Sequence, residues 1–369
     1  MKKKVAILAP YVGSVNRGAE TFVIELTKKL RKYYDINVYT TSDEKQISEN
    51  IVRIDVRNSR LWIVHSWLYN KNVLYREIVN RFYYFIPDVM FQKQFTKRAF
   101  ERINKEKYDM IFPNNGVWGC KYAKKYREKH SIPMIYTGHG GIGYGEKEIL
   151  KCIPDAYVCL TKKHLKWAEK VKNEPTYILV IPNGVNVADF TYDKKQEGEK
   201  VVLSVGALTQ FKRHELTIRA MRNVKDAKLI ILGKGEELEK LKKIAERYIP
   251  NRYQITSVSY EEMKEQYKKA NLFVLPSLEE PFGIVYLEAM SANIPVVAPD
   301  DAQRREIIGD AGFFCNVEND IEYAKLIEKA LVMDWGNKPV DRAKLFDWDI
   351  ISEEYRTLFE QVMDRHEVN

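Results

Sequence analysis

Two glutamates, Glu280 and Glu288, lie on either side of a Pro-Phe-Gly turn in the stretch EEPFGIVYLEAM, residues 279 to 290, whose other residues are mostly apolar. Carboxylates enter such company when they are paired or hold a ligand. Ionised, each accepts through two oxygens, which suits the adjacent hydroxyl pairs of a sugar ring or a ribose. The alternative for Glu288 is a buried glutamate satisfied by a helix end or an arginine. A helix predicted to start near Gly283 directs free N–H groups and its positive end outward, toward a phosphate or a developing negative charge. Upstream, the FKRH segment places two cations, Lys212 and Arg213, side by side, and taken alone it reads as a solvated turn.

The elements that must position these groups follow from periodicity. VAILAP is an apolar strand, followed by a loop with Gly13 and Gly18 and by a helix in which Phe22, Leu26 and Leu30 recur at helical spacing. INVYTT, MIFPN and MIYTG are further strands separated by helical stretches, as in a parallel sheet with crossover helices. The second half repeats the scheme with KVVLSVGAL, AKLIILG, LFVLPS and IPVVAP, so the turn carrying Glu280 falls at the C-terminal edge of a parallel sheet, where such folds bind ligands. The chain reads as two doubly wound α/β domains, 1–190 and 191–345, joined within the polar segment 189–200, with a closing helix in 346–369 that packs back toward the first domain. Ile351, Tyr355, Leu358 and Val362 mark the apolar face of that helix.

Composition narrows the classes. A chain of 369 residues suits two domains, and no apolar run reaches the roughly 18 residues of a membrane-spanning helix. The basic start MKKKVAILAP reads as a first strand rather than an export signal, and four cysteines without CxxC spacing fit a reducing cytoplasm. Charge is uneven: residues 1–190 hold 33 basic and 19 acidic side chains (net +14), and residues 191–369 hold 27 and 32 (net −5). The first half is therefore suited to an anionic membrane face or a phosphorylated acceptor, or is simply a soluble basic surface. Residues 61–100 are aromatic and basic and read either as a bilayer-surface segment or as helices packed on the first sheet. Basic residues are dispersed and no nucleic-acid module accompanies them. The Asp-Trp-Asp of residues 347–349 is better read as a helix cap than as a metal site, and GKGEEL lacks the third glycine of a dinucleotide fingerprint.

SLEEPFGIVYLEA resembles the Glu-x7-Glu signature of retaining glycosyltransferase family 4. VIPNGVNVADF resembles the family's linker entry, SVGALTQFKRHELTIRA its diphosphate loop, and LIILGKGEELEKL the strand end that follows. The resemblance covers nearly all of the C-terminal half and scattered points of the N-terminal half. It implies the GT-B architecture, two facing Rossmann-like domains, with the acceptor on the first and the nucleotide sugar on the second. It assigns Glu280 to the donor sugar, Glu288 to the nucleotide ribose, Lys212 to the diphosphate, and Gly206, Phe282, Gly283 and Ile284 to donor contacts. Val258 marks backbone near the base. Ala207 stands where the family has an arginine, and Arg213 is the substitute expected. In the first half only Gly18 carries over from the family's glycine pair, Arg17 occupying the other place, and His139 in YTGHGGIGYG resembles the histidine that orients the sugar.

The expected activity is retaining transfer of a hexose-type sugar from a nucleotide-diphosphate donor to a glycan, glycolipid or lipid-linked acceptor, without cofactor or obligatory metal. The protein would act in envelope polysaccharide or glycoconjugate synthesis, in the cytoplasm or peripherally at the inner membrane face. Two alternatives stand beside it. A same-fold nucleotide-sugar isomerase or hydrolase would form product without an acceptor, and a non-catalytic nucleotide-sugar-binding scaffold would bind without turnover.

Overall fold

The computed structural model describes residues 1–13, 18–42, 50–56, 86–114, 116–172, 175–191, 198–278 and 280–367. Arg17, Glu279, residues 61–85 of the aromatic stretch and the middle of the 189–200 segment lie outside them. The chain divides into two compact units. The first comprises Met1–Cys159, His164–Val180 and Ser352–Asn369, and the second Leu160–Lys163 and Ile181–Ile351. The division at 180/181 precedes the 190/191 expected from polarity, because Val185, Val187 and Phe190 are buried in the second unit's core.

The first unit begins with β1 (Lys4–Leu8), α1 (Gly18–Leu30), β2 (Asp35–Thr40) and β3 (Ile51–Arg53), followed by α2 (Ile86–Ile103), β4 (Met110–Pro113) and α3 (Val117–His130). Then come β5 (Ile135–Thr137), α4 (Tyr144–Leu150), β6 (Ala156–Cys159), α5 (Lys162–Val171) and β7 (Tyr177–Val180). Among the described residues the pairings are parallel, in the orders β3-β2-β1-β4 and β5-β6-β7, and a bridge between Ile111 and Met134 connects the two sheets. Sheets covered on both faces need continuous apolar strands. The sequence supplies them, since Val5 to Leu8, Met110 to Phe112 and Ala156 to Cys159 are almost fully buried. On α1, Phe22, Val23, Leu26 and Leu30 form the buried stripe.

The second unit contains β8 (Lys200–Val205), α6 (His214–Met221), β9 (Ala227–Leu232), α7 (Leu238–Tyr248), β10 (Tyr253–Thr256), α8 (Tyr260–Lys269) and β11 (Leu272–Val274). It continues with α9 (Ile284–Ser291), β12 (Val296–Pro299), α10 (Ala302–Ile308), β13 (Gly312–Cys315), α11 (Asp320–Val332) and α12 (Lys338–Lys344). Its sheet is parallel in the order β10-β9-β8-β11-β12-β13. Strand order reverses between β8 and β11, so the loops leaving these two strands open side by side at the C-terminal edge. The final helix, α13 (Trp348–Glu367), enters the first unit from Ser352 onward. There Tyr355 and Phe359 pack on Phe112, Tyr355 also meets Phe22 with ring centroids 5.2 Å apart, and its hydroxyl lies 2.9 Å from Thr137 Oγ1.

Candidate functional site

The loop leaving β8 runs from Gly206 to Arg213, and its shape depends on glycines elsewhere. Gly206 N–H donates to Leu232 O (3.0 Å), Leu208 N–H to Lys234 O (2.9 Å) and Glu237 N–H to Leu208 O (3.0 Å), so two loops pack backbone against backbone. A Cβ on Gly233 would lie 1.9 Å from the Gly206 carbonyl oxygen, and one on Gly235 would lie 2.3 Å from that of Leu208. The glycine pair in GKGEEL therefore serves close packing of the β8 loop. Ala207 is exposed within it.

The loop leaving β11 carries Glu280. Leu278 N–H donates to Phe211 O (2.9 Å), and Lys212 Nζ is ion-paired and hydrogen-bonded to Glu280 Oε2. The two side chains retain 24% and 13% of their exposure, enough to meet a ligand while keeping the pair largely desolvated. Arg213 sits in the left-handed region (φ 52°), its Nε donating to Pro276 O (2.8 Å) and its Nη1 to Glu318 Oε1 (2.8 Å). Its guanidinium thus ties the two loops together and is already paired with a carboxylate.

Gly283 caps α9 with φ 88°, a conformation that favours glycine, and a Cβ there would meet the Tyr286 ring at 2.6 Å. Phe282 is buried with its ring against Phe346, so only its backbone is available to a ligand. Ile284 and Val258 are half-buried against the second core. Glu288 is half-buried, and its Oε2 accepts from Tyr267 Oη at 2.7 Å. Burial pushes its carboxyl above the usual range, and the Tyr267 hydrogen bond counters this in part.

Arg304 is 3% exposed and belongs to no local motif in the sequence. It donates to Ser277 O (2.7 Å), Ser277 Oγ (2.8 Å) and Tyr286 Oη (3.2 Å), and pairs with Asp301. This fan of bonds fixes the start of the Glu280 loop from beneath. Tyr267 likewise lies in a helix and faces a glutamate 21 residues on, which leaves no local pattern. Asp347 accepts from Asp349 N–H (2.9 Å) at the start of α13 and also from Val187 N–H (3.3 Å), which gives it a capping role.

In the first unit, Gly18 opens α1 and is exposed. His139 follows β5, with its ring edge-on to Phe22 at 4.6 Å and its Nε2 buried without a hydrogen-bond partner among the described residues. Burial, reinforced by nearby His164, lowers its pKa to about 3, so the imidazole is neutral at physiological pH. A neutral ring of this kind orients a ligand by hydrogen bonding and is a weak base.

Two family models match in succession: "Glycosyltransferase Family 4" over residues 16–189 and "Glycosyl transferases group 1" over residues 189–343. An uncharacterized glycosyltransferase of Methanocaldococcus jannaschii is 27% identical over 323 residues, 76% of this chain and 82% of that one. The N-acetylgalactosamine-N,N'-diacetylbacillosaminyl-diphospho-undecaprenol 4-alpha-N-acetylgalactosaminyltransferase of Campylobacter jejuni is 31% identical over 159 residues, 40% of this chain and 43% of its own. Among solved structures, sucrose-phosphate synthase from Thermosynechococcus elongatus superposes with a TM-score of 0.79 at 18% identity, covering 99% of this chain and 100% of the other. Anabaena HepE in complex with UDP-glucose gives 0.74 at 16%, covering 97% and 99%. The structural matches bear on fold, with two Rossmann-like units and the reversal point between β8 and β11; together with the family models they place the chain in glycosyltransferase family 4, with the GT-B fold.

Proposed function

We propose that the protein is a retaining glycosyltransferase that moves a hexose-type sugar from a nucleoside-diphosphate donor to a hydroxyl of a glycan, glycolipid or lipid-linked acceptor. The observation that carries this reading is the meeting of Lys212 and Glu280 at the reversal point of the second sheet, beside the N-terminus of α9. Breaking the anomeric C–O bond leaves negative charge on the diphosphate. Lys212 and the N–H groups of Phe282, Gly283 and Ile284 stabilise it there, and no metal ion is required. Donor binding exchanges the Lys212–Glu280 pair for two new ones, ammonium to phosphate and carboxylate to sugar hydroxyls. Glu288 holds the ribose, Gly206 and Gly18 allow close approach, backbone near Val258 receives the base, and His139 orients the sugar. Arg213 serves the site by holding the Lys212 loop. The transition state is oxocarbenium-like, and the acceptor hydroxyl enters on the face that the diphosphate leaves, its proton passing to an oxygen of the departing diphosphate.

The acceptor falls to the basic first unit. The Campylobacter jejuni relative is named for a diphospho-undecaprenol acceptor, which favours a role in envelope polysaccharide or glycoconjugate synthesis, and the HepE structure contains UDP-glucose, which favours a nucleoside-diphosphate hexose as donor. Among the described residues, no helix is long and apolar enough to cross a membrane. The basic first unit supports association with an anionic inner membrane face. Flotation with anionic against neutral liposomes tests this, binding to the anionic set being expected and failure with both removing the membrane part. The donor site is tested by thermal shifts with UDP, GDP, ADP and dTDP on the intact protein and on Lys212→Ala. A ligand at about 100 times its dissociation constant adds roughly 2.7 kcal/mol. One nucleotide should raise Tm in the parent and not in the variant; no shift with any of them would sink the assignment.

A further inference from the structure

The His139 segment rests on a buried polar platform to which the reading above gives no role. Gly138, His139 and Gly140 leave β5, and Gly138 N–H still donates to Val158 O (2.9 Å). Beneath them stand three buried side chains: Glu146 in the first turn of α4, Tyr157 on β6 and His164 on α5, which are 5%, 0% and 1% exposed. Glu146 Oε1 accepts from Gly140 N–H at 2.8 Å and Oε2 from Tyr157 Oη at 2.7 Å; that hydroxyl lies 3.1 Å from His164 Nε2. The segment touches the platform at both ends. A Cβ on Gly140 would lie 2.7 Å from Glu146 Oε1, and one on Gly138 would lie 2.3 Å from Tyr157 Oη and 2.5 Å from His164 Cε1. The glycines flanking His139 thus let its backbone settle onto these groups, while Phe22 seats the ring.

We propose that Glu146 is the positioning residue of the site: together with Tyr157 and His164 it fixes the Gly138–Gly140 backbone and thereby aims the unpartnered Nε2 of His139. A buried carboxylate is costly unless its oxygens are satisfied, and two donors converge on this one. Ile149 and Leu150 anchor α4 in the core, so the carboxylate is carried by a fixed element. Glutamine preserves the clamp: its carbonyl accepts from Gly140 N–H, and its amide donates to Tyr157 Oη, whose proton turns to His164. Alanine removes both contacts. Aspartate keeps the charge but shortens the arm by one methylene and withdraws it from Gly140.

This inference rests on the role assigned to His139, and the experiment separates the two. Full-length protein carrying labelled histidine gives imidazole signals from six residues, and His139→Ala identifies the one of interest. In Glu146→Ala the His139 signal should shift and broaden, and kcat with UDP-glucose, or whichever donor the nucleotide screen selects, should fall on the order of 10²-fold at unchanged KM, as expected for a misplaced contact group. Glu146→Gln should restore both the signal and turnover, and Glu146→Asp should behave like the alanine variant, which keeps the comparison intact if the alanine variant does not fold. An unmoved His139 signal and parental kcat in the folded alanine or aspartate variant would overturn the proposal. Equal loss in Glu146→Gln would do so too, because hydrogen-bond geometry is kept there. If His139→Ala itself leaves turnover unchanged, the assigned role of His139 fails, whereas the histidine signals still report whether Glu146 sets its position.

Discussion

Lys212 and Glu280 each have a use in the resting pair and another in the ligand complex, and substitution should separate the two. Lys212→Ala removes the only side-chain cation that the assignment places on the diphosphate, so kcat should fall roughly 10²- to 10³-fold, the size seen when one stabiliser of developing charge is lost. Glu280→Gln keeps shape and hydrogen bonding while removing the charge that holds Lys212, and should also slow turnover. Initial rates with the donor found by the nucleotide screen measure both, and parental rates in both variants would refute the site. Tyr267→Phe is a milder test. It deprives Glu288 of its hydroxyl donor, whose loss costs about 1 kcal/mol, and should weaken nucleoside-diphosphate binding several-fold by calorimetry. Glu280, Glu288, Lys212 and His139 were legible in the sequence because each sits in a local pattern. Arg304, Tyr267 and Glu146 were not, because the contacts that give them a role (Tyr286 for Arg304, Glu288 for Tyr267, Gly140 and Tyr157 for Glu146) are made across separate elements or a turn whose path no propensity fixes.

Among the elements, the contact between the loops that follow β8 and β9 is the most exacting. With the Gly206 carbonyl oxygen 1.9 Å from the place of a Gly233 Cβ, Gly233→Ala must push backbone against backbone. It should destabilise the second unit by about 2–4 kcal/mol and displace the Lys212 loop, lowering both Tm and nucleotide affinity. Gly145→Ala is the control: this residue lies in α4 with nothing within 4 Å of a Cβ, and alanine there should leave stability unchanged or raise it by about 0.5–1 kcal/mol. Equal Tm in Gly233→Ala and the parent would show that the loops do not need this approach. Strands β1, β2, β4, β5, β8, β9, β11 and β12 were readable as apolar runs, and the buried stripe of α13 as a spacing of fours and threes. Short strands such as β3, β10 and β13 carry partly exposed residues and gain their form from neighbours in the sheet.

Across the whole molecule, buried titratable groups set the response to acid. His139, His164 and His214 have pKa values lowered by burial to about 3, 4 and 4. Unfolding lets them protonate near pH 6.5, so the unfolded chain binds more protons between about pH 6.5 and 4, and stability falls as pH drops through that window. Glu146 opposes them: burial raises its pKa to about 7, and between about pH 4.5 and 7 the folded chain holds a proton that the unfolded chain releases, which favours folding at the acidic end. Three histidines outweigh one glutamate, so denaturant unfolding should give lower stability at pH 5 than at pH 7.5. Glu146→Gln should steepen that decline. A chain equally stable at both pH values would contradict the burial of these histidines. By itself the sequence determined two doubly wound halves, the charge contrast between them and the glutamate-bearing turn at a sheet edge, because periodicity, composition and spacing are properties of the local chain. Only the tertiary structure decided that Lys212 meets Glu280, that Arg213 is held by Pro276 and Glu318, that the chain passes between units at 180/181, and that His139 rests on Glu146. Each depends on which strands lie side by side and how closely backbones approach, and those are settled by burial of the whole core rather than by any short stretch of residues.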